Sequence, residues 1–291
     1  MDKRALRSLV AVVISVTVAA AVSWAGSQHG VWVDGAPLFA LCGMLAFGIN
    51  WLVFVPAYIW QTERFFDLTG SLTYLTVVAV ALAMTLGGDP RSLLLAGMVS
   101  VWAVRLGSFL FRRIRRDGHD GRFDELKPSF PRFLLTWTLQ ALWVLLTVSG
   151  ALAAMTAMRI EPLGWVAAVG VVIWLAGFGI EVTADRQKAR FRRDAANDGQ
   201  FITTGLWAWS RHPNYFGEIL LWVGVAVVAL PALRGWQHVT LISPVFVYLL
   251  LTRVSGVPLL EARAEARWGE LPKYQAYRNA TPSLVPRPPR N

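Results

Sequence analysis

Apolar positions along the chain gather into long runs separated by short clusters rich in Arg, Asp, Gly and Pro, a pattern that predicts membrane-spanning helices. A helix needs about 17 to 25 predominantly apolar residues to cross a bilayer. The runs near Leu6 to Trp24, Leu38 to Trp60, Phe133 to Met158 and Trp165 to Thr183 meet that length. Shorter or interrupted runs lie near Leu72 to Leu86, Leu93 to Phe111, Asn214 to Leu230 and Val239 to Thr252. The expected architecture is an all-α, polytopic transmembrane helix bundle of seven to eight spans, seven if one short run is re-entrant.

Composition agrees with the pattern. The chain is 55% hydrophobic and only 16% charged, with a mean hydropathy of +0.46, which excludes an ordinary soluble domain. Lys3, Arg4 and Arg7 ahead of the first run suit either a signal peptide or an uncleaved anchor, and the length of the run favours the anchor. Counting loops alternately from a cytoplasmic N-terminus puts 24 of the 28 basic residues on one side, the bias that orients membrane proteins. Eight crossings with both termini cytoplasmic are therefore expected. The net charge of +10 follows from that bias and from anionic lipid headgroups, so membrane lipids are expected partners and nucleic acid is not. Cys42 is alone and the four His are scattered, so no metal site is expected. Neither a phosphate-binding glycine loop nor a dinucleotide fingerprint is present.

Polar residues within or beside spans are costly and mark function. In WQTERFFDLTGSLTY (60–74), a continuous helix would put Glu63, Asp67 and Tyr74 on one stripe, two carboxyls and a phenol able to polarise a carbonyl in a dry pocket. The alternative is an interfacial loop whose acids face headgroups. In VRLGSFLFRRIRRDGHDGR (104–122), Arg105 lies about two turns inside a span and needs a partner there, while Arg112 leads a cluster suited equally to phosphate binding or to topology. Further on, Glu181, Asp185, Lys188 and Arg192 share one helical face. The stretch SRHPNYFGEILLW (210–222) reads as a proline-led helix start. Arg211 and His212 there suit an anion, and Asn214 and Glu218, one turn deeper, suit a carboxamide. Gly217 between them permits a close helix approach. After Thr252 an amphipathic tail is expected on the membrane surface, with Glu261 or Tyr274 toward an adenosine or simply interfacial. Beyond Val285, PRPPRN reads as disordered.

GLWAWSRHPNYFGEILLWVG (205–224), followed by VSGVPLLEARAEARWGELPKYQAYRNATPSLVP (254–286), resembles the bacterial membrane proteins of the steroid 5-alpha-reductase-like group, over roughly Trp60 to Pro286. The resemblance implies a helical membrane reductase of the bacterial inner membrane. It would use NADPH to reduce the activated carbon–carbon double bond of a lipophilic molecule, such as a 3-oxo-delta-4 steroid or an enoyl lipid. It divides the chain into an anchor helix and loop (1–36) and a catalytic transmembrane domain with cytoplasmic cofactor-binding loops (37–291), and a monomer is expected. Asn214 and Glu218 would hold the nicotinamide side. Asp185, Arg192, Arg105 and Arg253 would hold ribose and phosphates, with Arg112, Arg211, His212, Tyr215, Glu181, Glu261 and Tyr274 nearby. Asp67 falls near the family's substrate-contacting Glu, but Trp102 stands where the family has a Tyr, so Tyr74 is expected to supply the phenol. The Arg-His-Pro-x-Tyr helix start also resembles S-adenosylmethionine-dependent isoprenylcysteine and phospholipid methyltransferases. A non-enzymatic lipid-binding scaffold is the third reading, and it leaves Arg105, Asp67 and Glu218 without a purpose.

Overall fold

The computed structural model describes residues 3–85, 89–117 and 120–289. The side chains of Arg113, Arg115, Arg116, Asp117 and Arg122 lie outside that description, so the part of the expected arginine cluster beyond Arg112 does too. Ten helices follow one another: α1 (Lys3–Ser27), α2 (Leu38–Ile59), α3 (Phe66–Met84), α4 (Pro90–Asp117), α5 (Phe130–Met155), α6 (Trp165–Arg193), α7 (Pro213–Ala229), α8 (Ile242–Leu249), α9 (Gly256–Trp268) and α10 (Pro272–Ala280). A two-stranded hairpin, Trp32–Val33 with Ala36–Pro37, closes the α1–α2 loop around Gly35 at φ 80°.

Among the described residues eight helical segments are long and apolar enough to cross a membrane. They coincide with the eight expected runs, and the protein is an all-α polytopic bundle. The eighth is interrupted: a 3₁₀ stretch over 235–241 leads into α8, and a π-helical turn over 250–254 separates α8 from α9.

Two compact units make up the chain. One comprises residues 1–167 with 225–243, the other 168–224 with 244–291. Helix α1 belongs to the same unit as α2 to α5.

In the first unit α5 is the central helix, with nearly its whole length buried. Polar side chains join its neighbours: Asn50 on α2 donates to Thr73 Oγ1 of α3 at 3.3 Å, and Gln140 on α5 donates to the Phe66 carbonyl at 2.8 Å. Gly70 makes room for that glutamine, since a Cβ there would stand 2.6 Å from Gln140 Nε2. At the start of α4, Arg91 is 2% exposed. Its guanidinium donates to the carbonyls of Glu161, Pro162 and Val228.

In the second unit α6 and α7 cross in backbone contact. A Cβ at Gly177 would lie 2.5 Å from the Leu221 nitrogen, one at Gly217 2.6 Å from the Glu181 nitrogen, and one at Gly224 2.6 Å from the Trp174 nitrogen. Gly217 and Gly224, one heptad apart, let α7 lie directly on α6, the small-residue packing of membrane helices. The chain's end is a strap, contrary to the disorder expected beyond Val285. Arg211 N–H donates to the Pro282 carbonyl at 2.9 Å, Ser210 Oγ to the Leu284 carbonyl at 2.8 Å, and Arg287 N–H to the Trp209 carbonyl at 3.0 Å. Prolines with no amide to donate still leave the neighbouring residues free to pair.

Candidate functional site

The segment 205–212 turns through a 3₁₀ piece, Gly205–Ala208, and enters α7 at Pro213. Trp207 anchors it: 2% exposed, its indole donates to the Ala184 carbonyl at 3.0 Å, and its own carbonyl accepts from Tyr277 Oη at 2.6 Å. Over the same indole sits Lys188 Nζ, 4.3 Å from the ring centroid. The polar start of α7 is thus clamped between α6, α10 and the C-terminal strap.

Beside it opens a cavity of about 290 Å³. Phe201 stands among Trp268, Tyr274 and Tyr277, with ring centroids at 5.6, 5.1 and 5.7 Å. Four cations also line the cavity, Lys188 and Arg192 from α6 and Arg263 and Arg267 from α9. Aromatic faces with cations around them suit a flat ring carrying phosphates.

Arg211 and His212 line the cavity too, but the expectation of a bare anion site at these two residues needs correction. Glu261 accepts from Arg211 at 2.9 Å and pairs with His212 Nε2 at 2.7 Å. The chain's own carboxylate takes up the Arg211 charge and fixes the His212 ring, while Lys188, Arg192, Arg263 and Arg267 also line the cavity. A carboxylate only accepts, so the His212 proton sits on Nε2 and Nδ1 is a bare acceptor in the neutral ring. That Nδ1 atom, Arg211 Nε and Asn214 Oδ1 are all buried without a hydrogen-bond partner among the described residues. Buried polar groups are normally satisfied, so two acceptors and a donor at one helix start are open to a water or a ligand.

Burial pushes the His212 imidazole below its ordinary pKa of 6.5, with Lys188 and Arg211 acting the same way and the Glu261 hydrogen bond opposing them. The folded state then binds this proton less readily than the unfolded chain. The His212 contribution to stability is present above about pH 6.5 and is lost as pH falls from there to the lowered pKa. Melting curves of wild type and His212→Gln recorded from pH 8 to pH 5 should converge or cross on acidification. A constant difference between them would show that His212 does not titrate in this window.

Of the expected cofactor residues, Arg192, Arg211, His212, Glu261 and Tyr274 meet around this cavity. Tyr215 stacks on His212 with ring centroids 5.7 Å apart. Glu181 is buried against the α6–α7 contact, its Cβ 3.0 Å from the Cβ position of Gly217, on the helix pair that carries Asn214 and Glu218. Asp185 and Glu218, both half-buried, and Arg253, exposed on the π-helical turn, do not line the cavity. Arg105 and Arg112 belong to the other unit. There Arg105 lies 5.9 Å from the Phe109 ring centroid, and exposed Arg112 donates to the Ser108 carbonyl.

The expected stripe of Glu63, Asp67 and Tyr74 also needs correction. α3 begins at Phe66, so Glu63 precedes the helix and does not share its face. Lys127 Nζ pairs with Glu63 at 2.8 Å, and the Asp120 N–H donates to it at 2.9 Å. Burial alone would raise its pKa, but these partners outweigh burial and hold it below the ordinary carboxylate range. Glu63 is thus an ion-paired carboxylate ahead of the helix, apart from the Asp67 and Tyr74 stripe. Asp67 and Tyr74 remain on α3, and Tyr74 packs edge-to-face on Trp102 of α4 at 5.1 Å. The residue that replaces the expected tyrosine therefore touches the tyrosine expected to take over its role.

Several residues in these sites escaped the sequence reading. Asn50, fully buried, and Gln140, 7% exposed, each carry an oxygen without a hydrogen-bond partner among the described residues. Polarity in mid-span was the available signal for both. Arg263 and Arg267 lie four apart on α9, a spacing that places them on one face.

These features define an all-α membrane protein with a cation-lined, aromatic cavity at the start of a buried helix. The chain belongs to a family described as a protein of unknown function (DUF1295), whose model matches residues 53–281. It is similar to an uncharacterised protein of Schizosaccharomyces pombe, 23% identical over 227 residues, which cover 68% of this chain and 64% of that protein. The match thus spans less than two thirds of that relative's length. No solved structure matches the chain.

Proposed function

We propose that this protein is a membrane-embedded reductase that uses NADPH to reduce the activated C=C bond of a lipophilic enone, as its steroid 5-alpha-reductase-like motifs imply. The observation that carries the reading is the cavity lined by Lys188, Arg192, Arg263 and Arg267 at the start of α7, where Arg211 Nε, His212 Nδ1 and Asn214 Oδ1 are buried without a hydrogen-bond partner among the described residues, Arg211 and His212 lining the cavity and Asn214 not. A nicotinamide dinucleotide would supply the hydride. Asn214 has the carbonyl to accept from a carboxamide, His212 Nδ1 is a second acceptor, and Lys188, Arg192, Arg263 and Arg267 match phosphates. The Phe201 group offers faces for an adenine. On α3 the groups with the chemistry to polarise a carbonyl are Tyr74 and Asp67. The distribution of basic residues supports an inner-membrane orientation with both ends cytoplasmic.

A second reading rests on Glu261, which places a carboxylate in the same aromatic cavity. A sulfonium such as that of S-adenosylmethionine would have to share that carboxylate with Arg211 and His212, and the aromatic faces around it suit a cation as well.

Binding separates the two. NADPH added to detergent-purified protein should show energy transfer from tryptophan, and Asn214→Ala should weaken it about 10- to 100-fold, the cost of one lost buried hydrogen bond. Glu218→Gln should abolish enone-dependent NADPH oxidation while leaving the melting temperature unchanged. Saturable binding of S-adenosylmethionine without NADPH binding would overturn the reductase.

A further inference from the structure

Independently of that reading, α1 and α2 enclose a second cavity of about 820 Å³, within the range of about 300 to 1,000 Å³ common for small-molecule sites. α1 lines it with Val16, Ala19, Ala20, Ser23 and Ser27, and α2 with Ala40, Gly43, Phe47, Gly48 and Trp51. Both sets recur every three or four residues, so each helix gives one face to it. The floor is Leu145 of α5.

Small residues on two facing membrane helices ordinarily let the backbones close. At Gly43 they do, since a Cβ there would stand 2.9 Å from Ser23 Oγ. One turn on, the helices have parted: a Cβ on Gly48 would meet no atom within 4 Å. A glycine inside a helix costs about 1 kcal/mol relative to alanine, and no protein neighbour demands one there. α2 has little freedom to swing shut, because Cys42 and Asn50 tie it to Val77 and Thr73 of α3. A gap inside the hydrocarbon layer is filled by hydrocarbon.

Its dimensions say which. From Val16 to Ser27, at about 1.5 Å per residue, the groove runs about 16 Å, close to half of a hydrocarbon core of about 30 Å. One end lies at the α1–α2 loop, where Gln28, His29 and Trp32 line it. Trp24, Trp32 and Trp236 are 58%, 63% and 62% exposed at that end, the signature of the headgroup level. His29 is fixed there with φ 54°, its carbonyl accepting from the Met158 N–H.

We propose that this groove is a specific site for one acyl chain of a membrane phospholipid, whose phosphate meets Gln28, His29 and the Trp24 and Trp32 indoles at the mouth. Most of the site precedes the residues matched by the family model, 53–281, so it is a property of this chain's first two helices.

The full-length protein in phosphatidylcholine nanodiscs carrying a trace of diazirine-acyl phosphatidylcholine tests this. Adducts should concentrate on the Ala19–Ser27 and Ala40–Gly48 faces and be competed by unlabelled phospholipid. Gly48→Trp should reduce them roughly tenfold, about 1.4 kcal/mol, without changing labelling at Val10 and Val13, exposed on α1. If that variant does not fold, Ala20→Leu makes the same test with less added volume. Labelling spread evenly over α1, insensitive to competitor and to both substitutions, would overturn the site. A free fatty acid or isoprenoid in place of a phospholipid, seen by native mass spectrometry, would overturn the assigned occupant.

Discussion

Gly217→Val is expected to leave α7 unable to lie against α6. Its Cβ would stand 2.6 Å from both the Glu181 nitrogen and the Gly177 carbonyl oxygen, far inside contact distance. Overpacking a core commonly costs about 1–3 kcal/mol because side chains yield. Here the obstructing atoms are backbone, two helices would have to part along their length, and the cost should reach or exceed about 3 kcal/mol. The purified variant should melt well below wild type in detergent or fail to elute as a single species. On the reading proposed above, NADPH binding should be lost with it, because Asn214, Glu218 and Glu181 all sit on that helix pair. Gly179→Ala is the control, since a Cβ at that α6 position meets nothing within 4 Å. Equal melting temperatures for Gly217→Val and wild type would refute the close crossing.

Arg91→Met should be the most destabilising single change in the other unit. The guanidinium is buried and spends its donors on three carbonyls, those of Glu161, Pro162 and Val228, drawn from two distant parts of the chain. Methionine keeps much of the volume but leaves the buried Val228 carbonyl without its donor, at about 1–3 kcal/mol, and the Glu161 and Pro162 carbonyls, nearer the surface, turn to water, so a loss of about 2–3 kcal/mol is expected. Arg91→Lys should recover only part of it, because an ammonium cannot reproduce the planar fork that reaches three oxygens. Thermal melting of both variants checks the order. A methionine variant as stable as wild type would mean that these carbonyls find other partners.

The spans were legible in the sequence because each depends on a local property, the length of an apolar run measured against a bilayer. The α7 start was legible for a similar reason: Pro213 fixes its own backbone, and the switch from polar to apolar residues occurs within a few positions. Gly217 could be read as a close approach before its neighbour on α6 was known, since a missing side chain matters only where something presses against it. The cavity was half legible. Arg192, Arg211, His212, Glu261 and Tyr274 stood out as polar residues in costly places, whereas Arg263 and Arg267 looked like any other basic residues in a helical tail.

What the chain's order by itself determined was the membrane class, the eight spans and the polar helix start, all consequences of periodicity and composition within a few turns. Only the tertiary structure decided which charges cancel. Glu261 neutralises Arg211 and holds the His212 ring across some fifty residues, Lys127 claims Glu63 from a loop two helices away, and Arg91 caps carbonyls far along the chain. Electrostatic pairing depends on distance in space, and spacing along the chain does not reveal that distance once helices have packed.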